Sequence, residues 1–250
     1  DKPSFSYHHW ITMENPWIDP AMIEEAMNDL DAKAFAQEYM ATWETYEGLA
    51  YYNFDESLHV KECGNFDPSL PVSIALDFNV NPTTLLVTSY RQGRKFIHRE
   101  YSFADSSTER TIKAFIDDFK VKPSHLPVQI RGDSAGNQRK STTGKSDYAY
   151  IIEAMKNSGI PHIFQVPSVN PPIIDRVNIV NGWLRPLIGI PRIVIDPSCK
   201  HLIKDLAGQK LDGRIPSGNN NLGHKADALG YDIYWESLAE KRIQSSCKRI

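Results

Sequence analysis

Val72-Ser-Ile-Ala-Leu-Asp77-Phe78, Thr83-Thr-Leu-Leu-Val-Thr-Ser-Tyr90 and Lys95-Phe-Ile-His-Arg-Glu-Tyr101 follow one another almost without pause. Each stretch is rich in aliphatic, β-branched and aromatic residues, which suits a pleated, largely buried strand. The connections between them, Asn81-Pro82 and Arg91-Gln-Gly-Arg94, have the length and the turn residues of hairpins. Three consecutive antiparallel strands are therefore expected.

Downstream the pattern changes to an alternation of helix and strand. The sequence predicts a helix over Ser106–Lys120, a strand Val128–Gly132, a helix around Asp147–Asn157, a strand His162–Val166, a helix Ile173–Leu187 and a strand Arg192–Ile195. After Pro197 come a helix to about Leu206, a Gly/Asn-rich loop Gly213–Gly223 and a last helix His224 to about Lys241. A meander followed by βα units makes an α/β mixed sheet, three antiparallel strands and then parallel ones, with helices on its faces; this is the RNase H-like layout. Upstream, Asp19-Pro20 is a helix start leading into Ala21–Leu30. A second helix is predicted over Ala32–Trp43, with Phe35, Tyr39, Met40 and Trp43 along one stripe. Gly48–Gly64 reads as irregular, and Pro68 and Pro71 open the strand region. A boundary is expected near residue 65, with 1–64 a helical and irregular linker segment and 65–250 the principal domain.

At 250 residues and 41% apolar content the chain has enough material for one large core. No run approaches the ~20 apolar residues of a membrane span, and Asp1-Lys-Pro-Ser-Phe5 has neither part of a signal peptide, so a soluble, non-secreted protein is expected. The missing initiator Met suggests a piece of a longer polypeptide. Cys63, Cys199 and Cys247 are odd in number and form no C-x-x-C pair, which argues against a zinc knuckle or a disulfide framework. A net charge of −3 is not the basic footprint of phosphate neutralisation. Gathered metal-binding carboxylates would depress net charge without opposing nucleic acid, because bound cations reverse the local sign.

The chemistry concentrates at three places. Asp77 ends an apolar strand, where a carboxylate is expensive to bury unless paired or bound to metal. Asp133 closes Val128-Gln-Ile-Arg-Gly132 and is followed by small residues. Asp227 lies one turn after His224 at the start of the last helix, so the two share a face. Singly, each has a plainer reading as a turn, a cap or a favourable charge at a helix N-terminus. Jointly, two strand-end aspartates and one on the final helix are what a two-metal phosphodiesterase needs, and their oxygen ligands suit two Mg²⁺ or Mn²⁺ ions.

Ala75-Leu-Asp77-Phe-Asn-Val-Asn-Pro-Thr, Gly132-Asp133-Ser-Ala-Gly-Asn-Gln-Arg and His224-Lys-Ala-Asp227-Ala-Leu-Gly-Tyr resemble the three nuclease motifs of tailed-phage terminase large subunits. Phe35-Ala-Gln-Glu-Tyr-Met and Trp43–Gly48 resemble the stretch joining packaging ATPase to nuclease in that family. The resemblance covers nearly the whole chain. It implies an endonuclease that cuts concatemeric double-stranded viral DNA during packaging in the host cytoplasm, with Asp77, Asp133 and Asp227 as the metal triad and His224 beside it. It also implies an ATPase domain in the same polypeptide, and small subunit and portal protein as partners.

Thr143-Gly-Lys-Ser146 is not a P-loop, since Arg139 stands where the first glycine is required and no apolar strand precedes it. In the family this region is a loop or hairpin near the active site, so Arg139, Lys140 and Lys145 become candidates for DNA-backbone contact, against the plainer reading of a solvated basic loop. Glu100 and Asp196 end strands but stay off the metal set, Asp196 because Asp-Pro-Ser is also a helix-start signal. His8, His9, His98, His125, His162 and His201 show no metal spacing, and Trp183, Tyr231, Tyr234 and Trp235 read as core. Two rivals remain: an integrase- or resolvase-type enzyme with the same metal chemistry, and a non-catalytic portal-docking module.

Overall fold

In the computed structural model, which describes residues 8–42, 48–64, 70–78, 83–103, 107–120, 126–139, 141, 144–212, 215–217 and 222–247, Asp19 accepts a hydrogen bond from Ala21 N at 2.9 Å and starts α1 (Pro20–Asp29). Asp31 caps α2 (Ala32–Tyr39) through Lys33 N and Ala34 N. This helix stops short of the predicted Trp43, which lies outside the described residues. Ala41 adopts a left-handed φ of 51° that the helix cannot continue through. The stretch read as irregular contains a single turn, α3 (Glu56–His59), capped by Asp55.

The meander follows as expected. β1 (Val72–Asp77) pairs antiparallel with β2 (Thr84–Arg91), and β2 with β3 (Arg94–Ser102). Next come α4 (Thr108–Lys120), β4 (Val128–Gly132), α5 (Asp147–Asn157), β5 (His162–Phe164), α6 (Ile173–Leu184), β6 (Ile193–Ile195) and α7 (Lys200–Gly208). The predicted Gly213–Gly223 loop is partly a two-residue hairpin, β7 (Leu211–Asp212) with β8 (Ile215–Pro216), and α8 (His224–Cys247) runs beyond the predicted Lys241. α6 ends three residues before the predicted Leu187 because Arg185 precedes Pro186, and a residue before proline is pushed out of the helical region.

The large sheet has the order β5-β4-β1-β2-β3-β6, with β4, β5 and β6 each parallel to the strand beside them. This is the RNase H-like mixed sheet, extended by β6 at the β3 edge. Both faces of its centre are covered, so all six residues of β1 are buried. On one face Val72, Ile74 and Leu76 pack with Phe115, Ile116, Tyr148 and Ile151 of α4 and α5. On the other, Ala75, Leu86 and Ile97 pack with Val180 and Trp183 of α6 and with Leu229 and Ile233 of α8.

The boundary expected near residue 65 falls in 65–69, outside the described residues. The segment before it is stitched to the sheet domain: Ala50 N donates to Gln209 O at 2.8 Å, Lys61 N donates to Ile195 O at 3.0 Å, and Ala50 and Tyr51 are buried in the same core as Trp183. Cys63 and Cys199 are buried free thiols. Trp183 and Tyr231 are core residues as predicted, whereas Tyr234 and Trp235 are only half-buried. Among the described residues no helix is long and apolar enough to cross a membrane.

Candidate metal centre

The parallel pairing of β1 with β4 sets the first two carboxylates side by side. Leu76 pairs with Gly132, and Asp133 N donates to Leu76 O at 3.1 Å, so Asp77 and Asp133 leave adjacent strands at the same level. Neighbouring strands lie about 4.8 Å apart, and carboxyl ends of parallel strands are where α/β sheets place ligands. Alternation along β1 puts Asp77 on the face of Ala75, towards α8, opposite to Ile74 and Leu76. The first turn of α8 brings His224 and Asp227 to the same end. Its entry is tight: Gly223 has φ +109°, and a Cβ there would fall 2.3 Å from Gln209 Nε2.

Each carboxylate has a defined partner. Asp77 is 4% exposed, and His224 Nδ1 lies 3.1 Å from its Oδ2. That hydrogen bond raises the imidazole above its usual range against the opposing effect of burial. Asp133 Oδ1 accepts from Ala135 N at 2.8 Å and from Asn170 Nδ2 at 2.6 Å. Asp227 Oδ1 accepts from Arg176 Nη1 at 2.6 Å, and the same guanidinium sits 4.2 Å above the Tyr231 ring. Burial pushes the Asp227 carboxyl up, Arg176 pulls it down, and the charge of Asp77 pushes it up again. Burial likewise raises the Tyr231 phenol, Arg176 opposes it, and Asp133, Asp227 and Asp77 each add to it. His224, bonded to Asp77, shares the first turn of α8 with Asp227, and Asp133 leaves the strand beside Asp77, so the three carboxylates lie at the same end of the sheet.

The side chains do not converge on a point. Among the described residues, no three His, Cys, Asp or Glu side chains come together closely enough to hold an ion as they stand. Each carboxylate is turned instead to a protein partner, Asp77 to His224, Asp133 to Asn170 and Asp227 to Arg176. The donor set nevertheless fits a hard divalent cation. It is all carboxylate oxygen, two groups at strand ends and one on the first turn of α8, the bonds to Asp133 and Asp227 named above fall on Oδ1, and the raised Asp227 carboxyl is a load that a cation relieves.

The other candidates lie elsewhere. Glu100 caps α7 from outside, accepting from His201 N at 2.8 Å and Leu202 N at 2.9 Å. Asp196 accepts from Ser198 N and Cys63 N in the turn before α7. Arg139 forms an isolated antiparallel bridge with Ser146, Lys145 pairs with Glu153 at 2.7 Å, and Lys140 lies outside the described residues. Ser146, from the spurious P-loop, is the N-cap of α5. His98 meets Ser89 Oγ at 2.7 Å, His162 Nδ1 meets Ile160 O, and His8 stacks on Trp10; His9 is exposed and His125 lies outside the described residues.

Sequence reasoning missed Asn170, Arg176 and a buried quartet behind the centre. Lys95 Nζ lies 2.9 Å from Asp232 Oδ2 and 2.8 Å from Glu236 Oε2. Arg131 Nη1 lies 2.8 Å from each of the same two carboxylates. Thr88 Oγ1 donates to Asp232 at 2.6 Å. These bonds pin α8 to β2, β3 and β4, and so fix where its first turn presents Asp227. A charge on an otherwise apolar helical stripe, as Arg176 is beside Val177 and Val180, was the available signal.

No protein-family profile matches the chain. The terminase large subunit of Escherichia phage T5 is 26% identical over 254 residues, covering 93% of this chain and 52% of that protein. The chain therefore spans about half the length of the curated relative it matches. Among solved structures, a large terminase from a thermophilic bacteriophage superposes with a TM-score of 0.65 at 18% identity, covering 90% of this chain and 55% of that one. The nuclease domain of the phage P22 large terminase superposes with a TM-score of 0.52 at 10% identity, covering 77% of this chain and 92% of that one. At those identities the structural likeness is one of fold. Along nearly its whole length the chain is similar in sequence to a phage terminase large subunit, and its RNase H-like fold is that of the phage P22 terminase nuclease domain.

Proposed function

We propose that this chain is the nuclease part of a packaging terminase, cutting concatemeric double-stranded viral DNA endonucleolytically. The observation that carries the proposal is the level pairing of Asp77 and Asp133 on adjacent parallel strands, with Asp77 joined through His224 to the first turn of α8, which carries Asp227. In this reading Asp77, Asp133 and Asp227 hold two Mg²⁺ or Mn²⁺ ions. When bound, such ions activate a water and stabilise the leaving oxygen of a phosphodiester. His224, held by Asp77, orients a water or a phosphate oxygen nearby, and Arg139, Lys140 and Lys145 contact the DNA backbone. An ATPase domain in the same polypeptide, a small subunit and a portal protein are the partners the relatives suggest, and the host cytoplasm is where they would meet.

Plasmid nicking in EDTA, Mg²⁺ and Mn²⁺, run beside Asp133→Ala, tests the proposal. Cutting that needs the cation and vanishes in the variant supports it. One observation favours a second reading, a non-catalytic docking module: the three carboxylates stand apart as they are placed. A folded chain that neither cuts nor binds Mn²⁺ selects that reading. Cutting that persists in EDTA or in Asp133→Ala removes the metal triad.

A further inference from the structure

The segment 165–172 between β5 and α6 is moored to β4 at its start, meets Asp133 in its middle and leads into the first turn of α6, which carries Arg176. At its start Gln165 N donates to Ile130 O at 2.8 Å, and Gln165 Oε1 accepts from Arg131 Nε at 3.1 Å. At its far end Arg176 grips Asp227, seated against α8 where Gly230 leaves room: a Cβ on Gly230 would lie 3.3 Å from that of Arg176. Between these moorings, Asn170 uses both halves of its amide. Nδ2 donates to Asp133 Oδ1 at 2.6 Å, and Oδ1 accepts from Ser134 N at 2.8 Å. A carboxylate accepts and a backbone N–H donates, so the two contacts fix the amide in one orientation. Pro171 and Pro172 follow at once and stiffen the approach to α6, of which Pro172 is the N-cap.

We propose that Asn170 is a positioning residue of the centre, a latch that sets the rotamer of Asp133 and holds the 165–172 strap at the carboxyl end of β4. The inference rests on the metal-centre reading and adds to it a residue outside the three motifs. Among the described residues the donors to Asp133 are neutral, the Ala135 amide and Asn170, whereas Asp227 accepts from the Arg176 guanidinium and Asp77 lies against His224. Hydrogen-bond partners of metal-binding carboxylates typically contribute 10–100-fold in metal affinity.

The test is calorimetric titration of Mn²⁺ into wild type, Asn170→Ala and, as a strap control, Val169→Ala, whose side chain is 77% exposed. Melting is measured in EDTA alongside. Asn170→Ala is expected to weaken Mn²⁺ binding about 10–100-fold with melting close to wild type, and to recover DNA cutting when Mn²⁺ is raised in proportion. Val169→Ala should match wild type. Unchanged or tighter Mn²⁺ binding by Asn170→Ala overturns the latch while leaving the nuclease reading standing. An equal loss in Val169→Ala also overturns it, because the strap as a whole rather than the amide would then be responsible. No Mn²⁺ binding by folded wild type overturns both readings together.

Discussion

Replacing Lys95 with Met removes one of two cations that neutralise two buried carboxylates. Lys95 and Asp232 are both 0% exposed, and the ammonium serves Asp232 at 2.9 Å and Glu236 at 2.8 Å. Arg131 cannot replace it, because its Nη1 already bonds both carboxylates at 2.8 Å. The variant therefore buries one uncompensated negative charge, and breaking a buried pair this way costs about 3–5 kcal/mol. At 2–4 °C per kcal/mol for a domain of this size, the melting temperature should fall by roughly 6–20 °C. The cost should depend on pH. Burial pushes the Asp232 carboxyl up, but Lys95 and Arg131 outweigh burial and hold it below the usual range, and Glu236 is held low in the same way. A depressed carboxylate stabilises the fold above the unfolded pKa of about 4 and loses that stabilisation as pH falls through the folded value. In Lys95→Met the depression is weakened, so protonation relieves the stranded charge at milder acidity. Urea unfolding of both proteins at pH 7 and pH 4 should give a large deficit at the first pH and a smaller one at the second. A deficit under 1 kcal/mol at pH 7, or one that grows on acidification, would refute the reasoning.

Three further outcomes are expected. Glu100→Ala should lower stability by about 1–2 kcal/mol in urea titration, because it strips two amide acceptors and a negative charge from the N-terminus of α7. Gly132→Ala should cost about 3 kcal/mol by thermal melting: at φ +149° its Cβ would meet Leu76 O at 2.3 Å and Tyr148 Oη at 2.8 Å, at the carboxyl end of β4. Mn²⁺ at a hundred times its dissociation constant should stabilise wild type by about 2.7 kcal/mol, and the gain should be absent in Asp133→Ala.

What the sequence made legible was governed by local pattern. β1, β2 and β3 announced themselves because both faces of the sheet are covered, which turns strands into nearly continuous apolar runs with hairpin connections between them. Asp77 and Asp133 stood out because a carboxylate ending such a run is anomalous. Contacts across long sequence distances were not legible. Nothing in the sequence pairs Arg176 with Asp227 or Asn170 with Asp133, since those partners meet only once α6 and α8 pack together and the strap folds over the sheet. Lys95 and Arg131 carry no local signal of their role, since each occupies a buried position on its strand where Asp232 and Glu236, far along the chain, neutralise it. Helix ends went astray where one residue decided them: Ala41 in a left-handed conformation, Arg185 before proline. Glu100 was read from its strand, and its role lies in the neighbouring helix.

Diffraction from crystals grown with Mn²⁺, recorded at a wavelength where manganese scatters anomalously, tests the central claim most directly. The account predicts anomalous peaks bounded by Asp77, Asp133 and Asp227, with Asp227 drawn towards the ion. Peaks elsewhere, or none in a crystal at saturating Mn²⁺, would contradict it.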